Sequence, residues 1–312
     1  MGSEATGFGH DGPVGTYDRE RAPDLSNEQS PWTHVVRRIP AGASVLDLGC
    51  WDGLLLALVR DRGAGRVKGV ERDAQARARA QARGLDVASA DLDDPEWPDA
   101  LGGERFDVVI LADVVEHVRD PFGTLRRIVE RVLLPGGSVV LSVPNVAHAS
   151  VRLSLLVGDF DRTERGILDR THLHFFTRRS LHALLAEAGL AVRETSDVVM
   201  DVPESVVTST LGRAKIPADA ALVASLIGSA DARAYQFVIA AGPVAPGAPV
   251  TPPPPAIAVD VPRVVDRLLR AQASKIRRLE ERIRVLEEKG PLRFLRYAAL
   301  RLRQRRARKH EA

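Results

Sequence analysis

Between residues 31 and 242, short apolar runs alternate with helix-patterned segments, and this alternation restricts the chain more than any other feature. The runs occupy 44–48, 66–71, 85–90, 106–112 and 138–143, and helical spacing fills 54–62, 74–83 and 121–134 between them. Strands that read as continuous apolar runs bury both faces, so such an order calls for a parallel sheet with helices on each side. Right-handed crossovers then place all five runs in one sheet. Thr177 reads as a helix N-cap, Leu181, Leu184 and Leu185 follow on one face, and Gly189 stands where that helix should end. Segments 190–195 and 234–241 are expected to add two strands, with mainly helical chain across 197–232.

The flanks differ from this body. Residues 1–30 are rich in Gly, Asp, Glu and Pro without periodicity and read as a disordered N-terminal segment. Residues 243–262 form a proline-rich linker, with four prolines at 252–255 that favour a semi-rigid polyproline spacer. From 263 to 312 the pattern is a coiled coil followed by a basic amphipathic helix. Leu269, Ile276 and Ile283 repeat every seven residues, and Val265, Gln272, Leu279 and Leu286 mark the other seam. Gly290-Pro291 ends that helix and starts an arginine-rich one. From Asp260 onward Lys and Arg number 17 against 7 Asp and Glu, so the tail carries +10 and the preceding body −7. The tail therefore suits a homo-oligomer or partner helix, and peripheral contact with an anionic membrane. An acidic body with only 4% aromatic residues offers little to nucleic acid, and none is expected as a partner. The single cysteine, Cys50, excludes an internal disulfide framework, and no apolar run nears the roughly 20 residues of a membrane span. Both points suggest a cytoplasmic protein.

The most informative stretch is Val45-Leu46-Asp47-Leu48-Gly49-Cys50-Trp51-Asp52-Gly53. An apolar strand ends in an acid, passes through a glycine-bearing turn and enters a helix, which lets backbone N–H groups approach a ligand at the sheet edge. The P-loop lysine and the G-x-G-x-x-G spacing are absent, which argues against a nucleotidase or a dehydrogenase. The next run ends at Glu71, where a carboxylate can accept both hydroxyls of a ribose, although a strand-end Glu is also a common solvated loop residue. The third ends Ala90-Asp91-Leu92, an acceptor for an adenine amino group beside an apolar neighbour, and the fourth runs through Ala112 and Asp113 to Glu116-His117. Acids at several successive strand ends are much less probable by chance than any one alone.

On these residues the chain resembles the class I S-adenosylmethionine-dependent methyltransferases over about residues 31–195, most of all the ubiquinone-type O-methyltransferases and those associated with glycan synthesis. The likeness also rests on Leu134-Pro135-Gly136-Gly137, on Pro144-Asn145-Val146-Ala147-His148, and on Asp169-Arg170-Thr171-His172-Leu173-His174-Phe175-Phe176-Thr177. It implies an α/β, Rossmann-like, doubly wound and mostly parallel seven-stranded sheet, followed here by the α-helical tail. It further implies S-adenosyl-L-methionine as cofactor, held by Asp47, Gly49, Cys50, Trp51 and Gly53 at its methionine end, with Ala112 nearby. Glu71 would bind the ribose, and Asp91 and Leu92 the adenine. Family members usually have glycine where this chain has Trp51. The expectation is that the turn keeps Trp51 in ordinary backbone space with its ring turned away.

Methyl transfer is an in-line displacement, so the protein supplies alignment and, for a hydroxyl nucleophile, removal of its proton. His117 and His148 are the leading candidates for that role, with His172 and His174 behind them and Asp113 as an acidic alternative. No spacing in the sequence suggests a metal site, and Cys50 reads as a small buried packing residue. The expected function is methylation of a hydroxyl on a sugar, glycan or related small acceptor. A quinone-like or lipophilic acceptor and a non-catalytic scaffold are the alternatives.

Overall fold

The structure, a computed structural model, describes residues 24–244 together with Arg277, Arg278 and Glu281. The chain divides into two units, Met1–Pro255 and Ala256–Ala312, and every element below belongs to the first. The linker from residue 245 and the coiled-coil and basic-helix expectations lie outside the described residues, apart from those three helical, exposed positions.

One sheet of seven strands organises the unit. The strands are β1 (Ser44–Leu48), β2 (Arg66–Val70), β3 (Val87–Ala88), β4 (Phe106–Ala112), β5 (Leu133–Pro144), β6 (Leu190–Val199) and β7 (Ala234–Pro243). Their spatial order is β3-β2-β1-β4-β5-β7-β6, and all pairings are parallel except the two made by β7. The strand order reverses between β1 and β4, and in open α/β sheets the ligand crevice lies at the carboxyl ends of the strands flanking such a point.

Period-two alternation sends each central strand into two cores. Leu46, Leu48, Val109, Leu111 and Leu141 face one side, against α4 (Pro121–Arg127) and α6 (Arg178–Glu187). Val45, Val108, Ile110 and Val140 face the other, against α1 (Pro31–Arg37) and α2 (Leu54–Asp61). Thr177 caps α6 as expected and shares a capping box with Ser180. The uncertain stretch before β7 contains α7 (Glu204–Arg213), α8 (Ala220–Ile227) and the short α9 (Ala230–Arg233). With α5 (Ala149–Leu156), α7 and α8 bury a separate apolar cluster around Leu153, Val207 and Val223.

Several boundaries differ from the sequence expectation, and β6 runs on to Val199, four residues past the expected strand and into the stretch expected to be helical. The helix expected over 121–134 stops at Arg127 and continues as a π turn (Ile128–Val132), and β5 begins at Leu133, ahead of the Pro135-Gly136-Gly137 bulge. Arg105 accounts for part of this, because its guanidinium donates to the carbonyls of Glu130 (2.8 Å) and Leu133 (3.0 Å) that the broken helix leaves open. β3 keeps only two paired residues at the sheet edge. Residues 24–30, expected within the disordered segment, make turns, and the buried Thr33 hydroxyl ties them to α1 by donating to Asn27 O (2.8 Å).

Candidate active site at the carboxyl ends of β1 and β4

A cavity of about 580 Å³ opens where β1, β2 and β4 end. Its walls include Asp47, Gly49, Cys50, Trp51, Glu71, Asp91, Leu92 and Ala112, so eight of the nine expected cofactor positions converge. Gly53 is the ninth and does not line it. It holds φ 76°, and a Cβ there would lie 2.4 Å from Leu85 Cδ1 and 2.8 Å from Ala80 Cβ. Glycine at 53 therefore makes room for the packing of α2 against α3 (Ala74–Ala82). Gly49 does face the cavity at φ 70°, where a Cβ would meet Val114 Cγ2 at 3.0 Å.

The turn differs from expectation in how its amides are used. The N–H groups of Gly49 and Cys50 both donate to Val70 O (2.8 and 3.1 Å), Trp51 N–H donates to Glu71 Oε2 (3.0 Å), and Gly53 N–H to Cys50 O (2.8 Å). These donors are spent inside the protein, so at these positions the turn offers shape rather than an amide nest. Trp51 is also not in ordinary backbone space. Its φ is 50°, and the residue lines the cavity and is 42% exposed, with its ring beneath the Arg79 guanidinium at 5.8 Å.

Polar chemistry in the cavity comes from side chains. Glu71 is buried and accepts from Trp51 N–H and, through Oε1, from Asp73 N–H (2.7 Å), which leaves lone pairs on both oxygens for further donors. Asp47 is buried and its Oδ2 has no hydrogen-bond partner. Burial, and then the charge of Glu71, push its carboxyl up to about 8. An orphaned buried carboxyl at the inner end of the cavity is what an ammonium group, such as that of a methionine moiety, would satisfy. Cys50 packs over Gly69, and burial raises its thiol far above the usual range, as expected of a packing residue.

The raised Asp47 pKa carries a stability consequence with a definite sign. Between about pH 4 and pH 8 the folded protein keeps a proton on Asp47 that the unfolded chain has released. The native state is therefore progressively disfavoured as pH rises through that window, and the drift ends above the folded value. Asp47→Asn is expected to gain stability over the wild type as pH goes from 5 to 8, in urea unfolding without ligand. A difference that stays flat with pH would show that Asp47 is ionised throughout.

Asp113, His117 and Thr171 also line the cavity, as do Asp93, Arg72 and Trp32. The backbone brings distant residues together here, because Leu173 N–H and His174 N–H both donate to Glu116 O (2.7 and 3.1 Å). His117 Nδ1 lies 3.2 Å from Thr171 O and His172 Nδ1 lies 3.0 Å from Ile167 O. A carbonyl can only accept, so both Nδ1 atoms carry a proton, and it is Nε2 that presents the lone pair in the neutral form of either ring. The two rings meet edge to face at 4.8 Å. Beside them Glu116 is 1% exposed with neither carboxyl oxygen hydrogen-bonded, and burial, then Asp113, hold its pKa well above the ordinary value. Ligand atoms of Glu116, His117 and His172 lie within 4.8 Å of one another, a set able to take a cation. Sequence spacing gave no sign of it, because 117 and 172 are far apart in the chain and meet through the Glu116 carbonyl bridge and the His117–Thr171 contact.

The other histidines stand elsewhere. His148, expected as a candidate base, is 0% exposed and does not line the cavity. Its Nε2–H donates to Met200 O (2.7 Å), while Nδ1 accepts from the Ser150 hydroxyl (2.9 Å) and amide (3.3 Å) at the start of α5. With both nitrogens engaged, it is a helix cap. His174 stacks on Phe176 and is absent from the lining.

Residues 17–195 match the model of a protein family described as "Methyltransferase domain". The chain is 34% identical over 166 residues to a ubiquinone biosynthesis O-methyltransferase of Azorhizobium caulinodans, covering 51% of this chain and 63% of that protein. It is 33% identical over 126 residues to a bifunctional methionine biosynthesis protein MetXA/MetW of Rhodopirellula baltica, covering 38% of this chain and 19% of that one. The chain thus spans less than two thirds of either relative. A solved S-adenosylmethionine-dependent methyltransferase from Mesorhizobium loti superposes with a TM-score of 0.45 at 18% identity, over 70% of this chain and 99% of that one. Among the described residues no helix is long and apolar enough to cross a membrane.

Proposed function

The chain belongs to the methyltransferase-domain family as an S-adenosylmethionine-dependent class I member, and from that premise we propose that it methylates a hydroxyl oxygen of a small acceptor. The observation that carries this reading is that His117, its Nδ1 3.2 Å from Thr171 O, lines the same cavity as the strand-end acids Asp47, Glu71 and Asp91. S-adenosylmethionine supplies an activated methyl carbon when bound. Asp47 would hold its ammonium group, Glu71 its ribose, and Asp91 with Leu92 its adenine. His117 takes the proton from the acceptor hydroxyl, and Thr171 and Asp113 border the space in which that hydroxyl must sit.

For the acceptor we favour a sugar or glycan hydroxyl, on the likeness of the 144–148 and 169–177 runs to glycan-linked enzymes. A lipophilic, quinone-like acceptor is the second reading. It is supported by Leu173, which stays 54% exposed two residues after the cavity-lining Thr171, and by relatives named for ubiquinone synthesis. Calorimetry with S-adenosylhomocysteine tests the cofactor part, and release of that product across a panel of sugar and phenolic acceptors tests the rest. No binding by the wild type would end the enzyme reading in favour of a scaffold.

The Glu116–His117–His172 set bears on how the proton leaves. A divalent cation held there would lower the pKa of a bound hydroxyl and would satisfy the orphaned Glu116 carboxyl. On that route EDTA is expected to abolish turnover and Mn²⁺ to restore it, with Glu116→Gln insensitive to either. Full turnover after chelation would leave His117 acting alone as the base.

A further inference from the structure

Residues 157–177, between α5 and α6, form no helix and no strand of the sheet. Connections of this length are uncommon in compact domains and usually serve a site. The stretch is braced through its own backbone. The Arg162 guanidinium donates to the carbonyls of Asp169 and His172 (both 2.7 Å), Thr163 N–H donates to Leu168 O (2.9 Å), and Arg170 N–H donates to Thr163 O (2.9 Å). These bonds hold the chain on both sides of Thr171, and none of them uses the Asp169 carboxylate.

That carboxylate accepts from Thr171 instead, with Oδ1 taking both the N–H (2.7 Å) and the hydroxyl (2.6 Å). Burial alone would raise its pKa, yet the bonds from Thr171, and then the charges of His172 and His117, hold it below the ordinary value. It is therefore an ionised acceptor. The next peptide is fixed as well, because His172 N–H donates to Asp169 O (3.2 Å). A trans peptide points its C=O opposite to its N–H. Thr171 O is thus turned away from Asp169 O, and it meets Nδ1 of His117 at 3.2 Å.

His117 cannot fix its own tautomer. A neutral imidazole has one proton for two nitrogens, and the bond made by one nitrogen decides where the lone pair remains. The ring rests on Thr171 O and on the edge of His172 at 4.8 Å, and of these two supports the carbonyl is the one that distinguishes its nitrogens. We propose that Asp169 is a positioning residue for His117: by holding Thr171 it aims Thr171 O at Nδ1, and so selects the tautomer and ring direction that leave Nε2 to take the acceptor's proton. This rests on the reading of His117 as the base.

The test is long-range proton–nitrogen correlation NMR of histidine-labelled protein at about pH 8.5, above the ordinary histidine range, so that tautomers and not charges are read. The His117 signals are those lost in His117→Gln. In the wild type the Nδ1–H form should exceed the Nε2–H form by about fivefold or more, the population that one net hydrogen bond supports. Asp169→Ala should bring the two forms within about twofold of each other. Asp169→Asn should restore the wild-type ratio, because its amide oxygen still accepts from Thr171. Turnover should follow the same order. With the fastest acceptor of the sugar and phenolic panel, Asp169→Ala is expected to lose about tenfold in kcat at unchanged KM for S-adenosylmethionine, and Asp169→Asn to regain most of it. A wild type that carries the His117 proton on Nε2 would overturn the proposal before any variant is made. An Asp169→Ala ratio equal to that of the wild type would overturn it too. Should Asp169→Ala fail to fold, Thr171→Val deletes one of the two bonds at nearly constant shape and should lower the ratio by about half, and an unchanged ratio there rejects the proposal equally. Normal turnover by His117→Ala would instead remove the base reading itself, an outcome distinct from a tautomer that Asp169 does not control.

Discussion

Glu71→Ala is expected to weaken S-adenosylhomocysteine binding by about 10²–10⁴-fold, the largest effect of any single cofactor-site change. Two charge-assisted hydrogen bonds to a ribose diol would vanish, each worth about 1.5–3 kcal/mol. The same carboxylate also anchors the turn by accepting from Trp51 N–H (3.0 Å) and Asp73 N–H (2.7 Å). Its loss leaves those partly buried amides without their partner, so the melting temperature should fall as well. Glu71→Gln separates the two effects, because the amide oxygen can still serve one anchor while the charge is gone. Binding by Glu71→Ala within tenfold of wild type, by calorimetry, would show that the carboxylate serves only the turn.

The second large effect is on turnover. His117→Ala should lower kcat by about 10²–10⁴ while leaving the Kd for S-adenosylhomocysteine nearly unchanged, since general-base removal costs the chemical step and not cofactor affinity. His148→Ala makes the informative contrast. Its ring is buried with both nitrogens bonded, to Met200 O and to Ser150, and it sits outside the cavity lining. Deleting it leaves the Met200 carbonyl without its donor and opens a void, so this variant should lose thermal stability yet keep kcat per folded molecule. Equal kcat losses in the two variants would mean that the fold around α5, and not a proton transfer, limits the reaction. If His117→Ala turns over normally, Asp113 becomes the better candidate, since it lines the same cavity in a conformation that Ser142 and Gln236 hold in place.

Much of this protein could be read from contiguous residues. The order of apolar runs and helical segments defined a seven-stranded α/β sheet, and the turn after β1 located the cavity. The acids at 47, 71 and 91 marked its walls, because each lies at or just beyond the carboxyl end of a strand in the parallel part of the sheet. The Thr177 cap was equally local, since side chain and helix N-terminus lie within a few residues of each other. These features depend on periodicity and turn chemistry, which a short stretch of chain specifies by itself.

What the sequence left undetermined was decided by residues far apart in the chain. Gly53 reads as part of a ligand loop, and only Leu85 and Ala80 packing above it show that it makes room for a helix pair. The turn amides look available until Val70 O, from the neighbouring strand, takes two of them. His117 and His148 are indistinguishable as residues, yet one lines the cavity and the other is buried as the N-cap of α5, because burial is set by what packs on top. The Glu116–His117–His172 cluster forms where Leu173 and His174 fold back onto the Glu116 carbonyl and Thr171 O meets the His117 ring. Composition and spacing specified which groups the protein possesses and the sheet edge they occupy. Long-range packing alone decided which of those groups keep a lone pair, a charge or a face open toward a ligand.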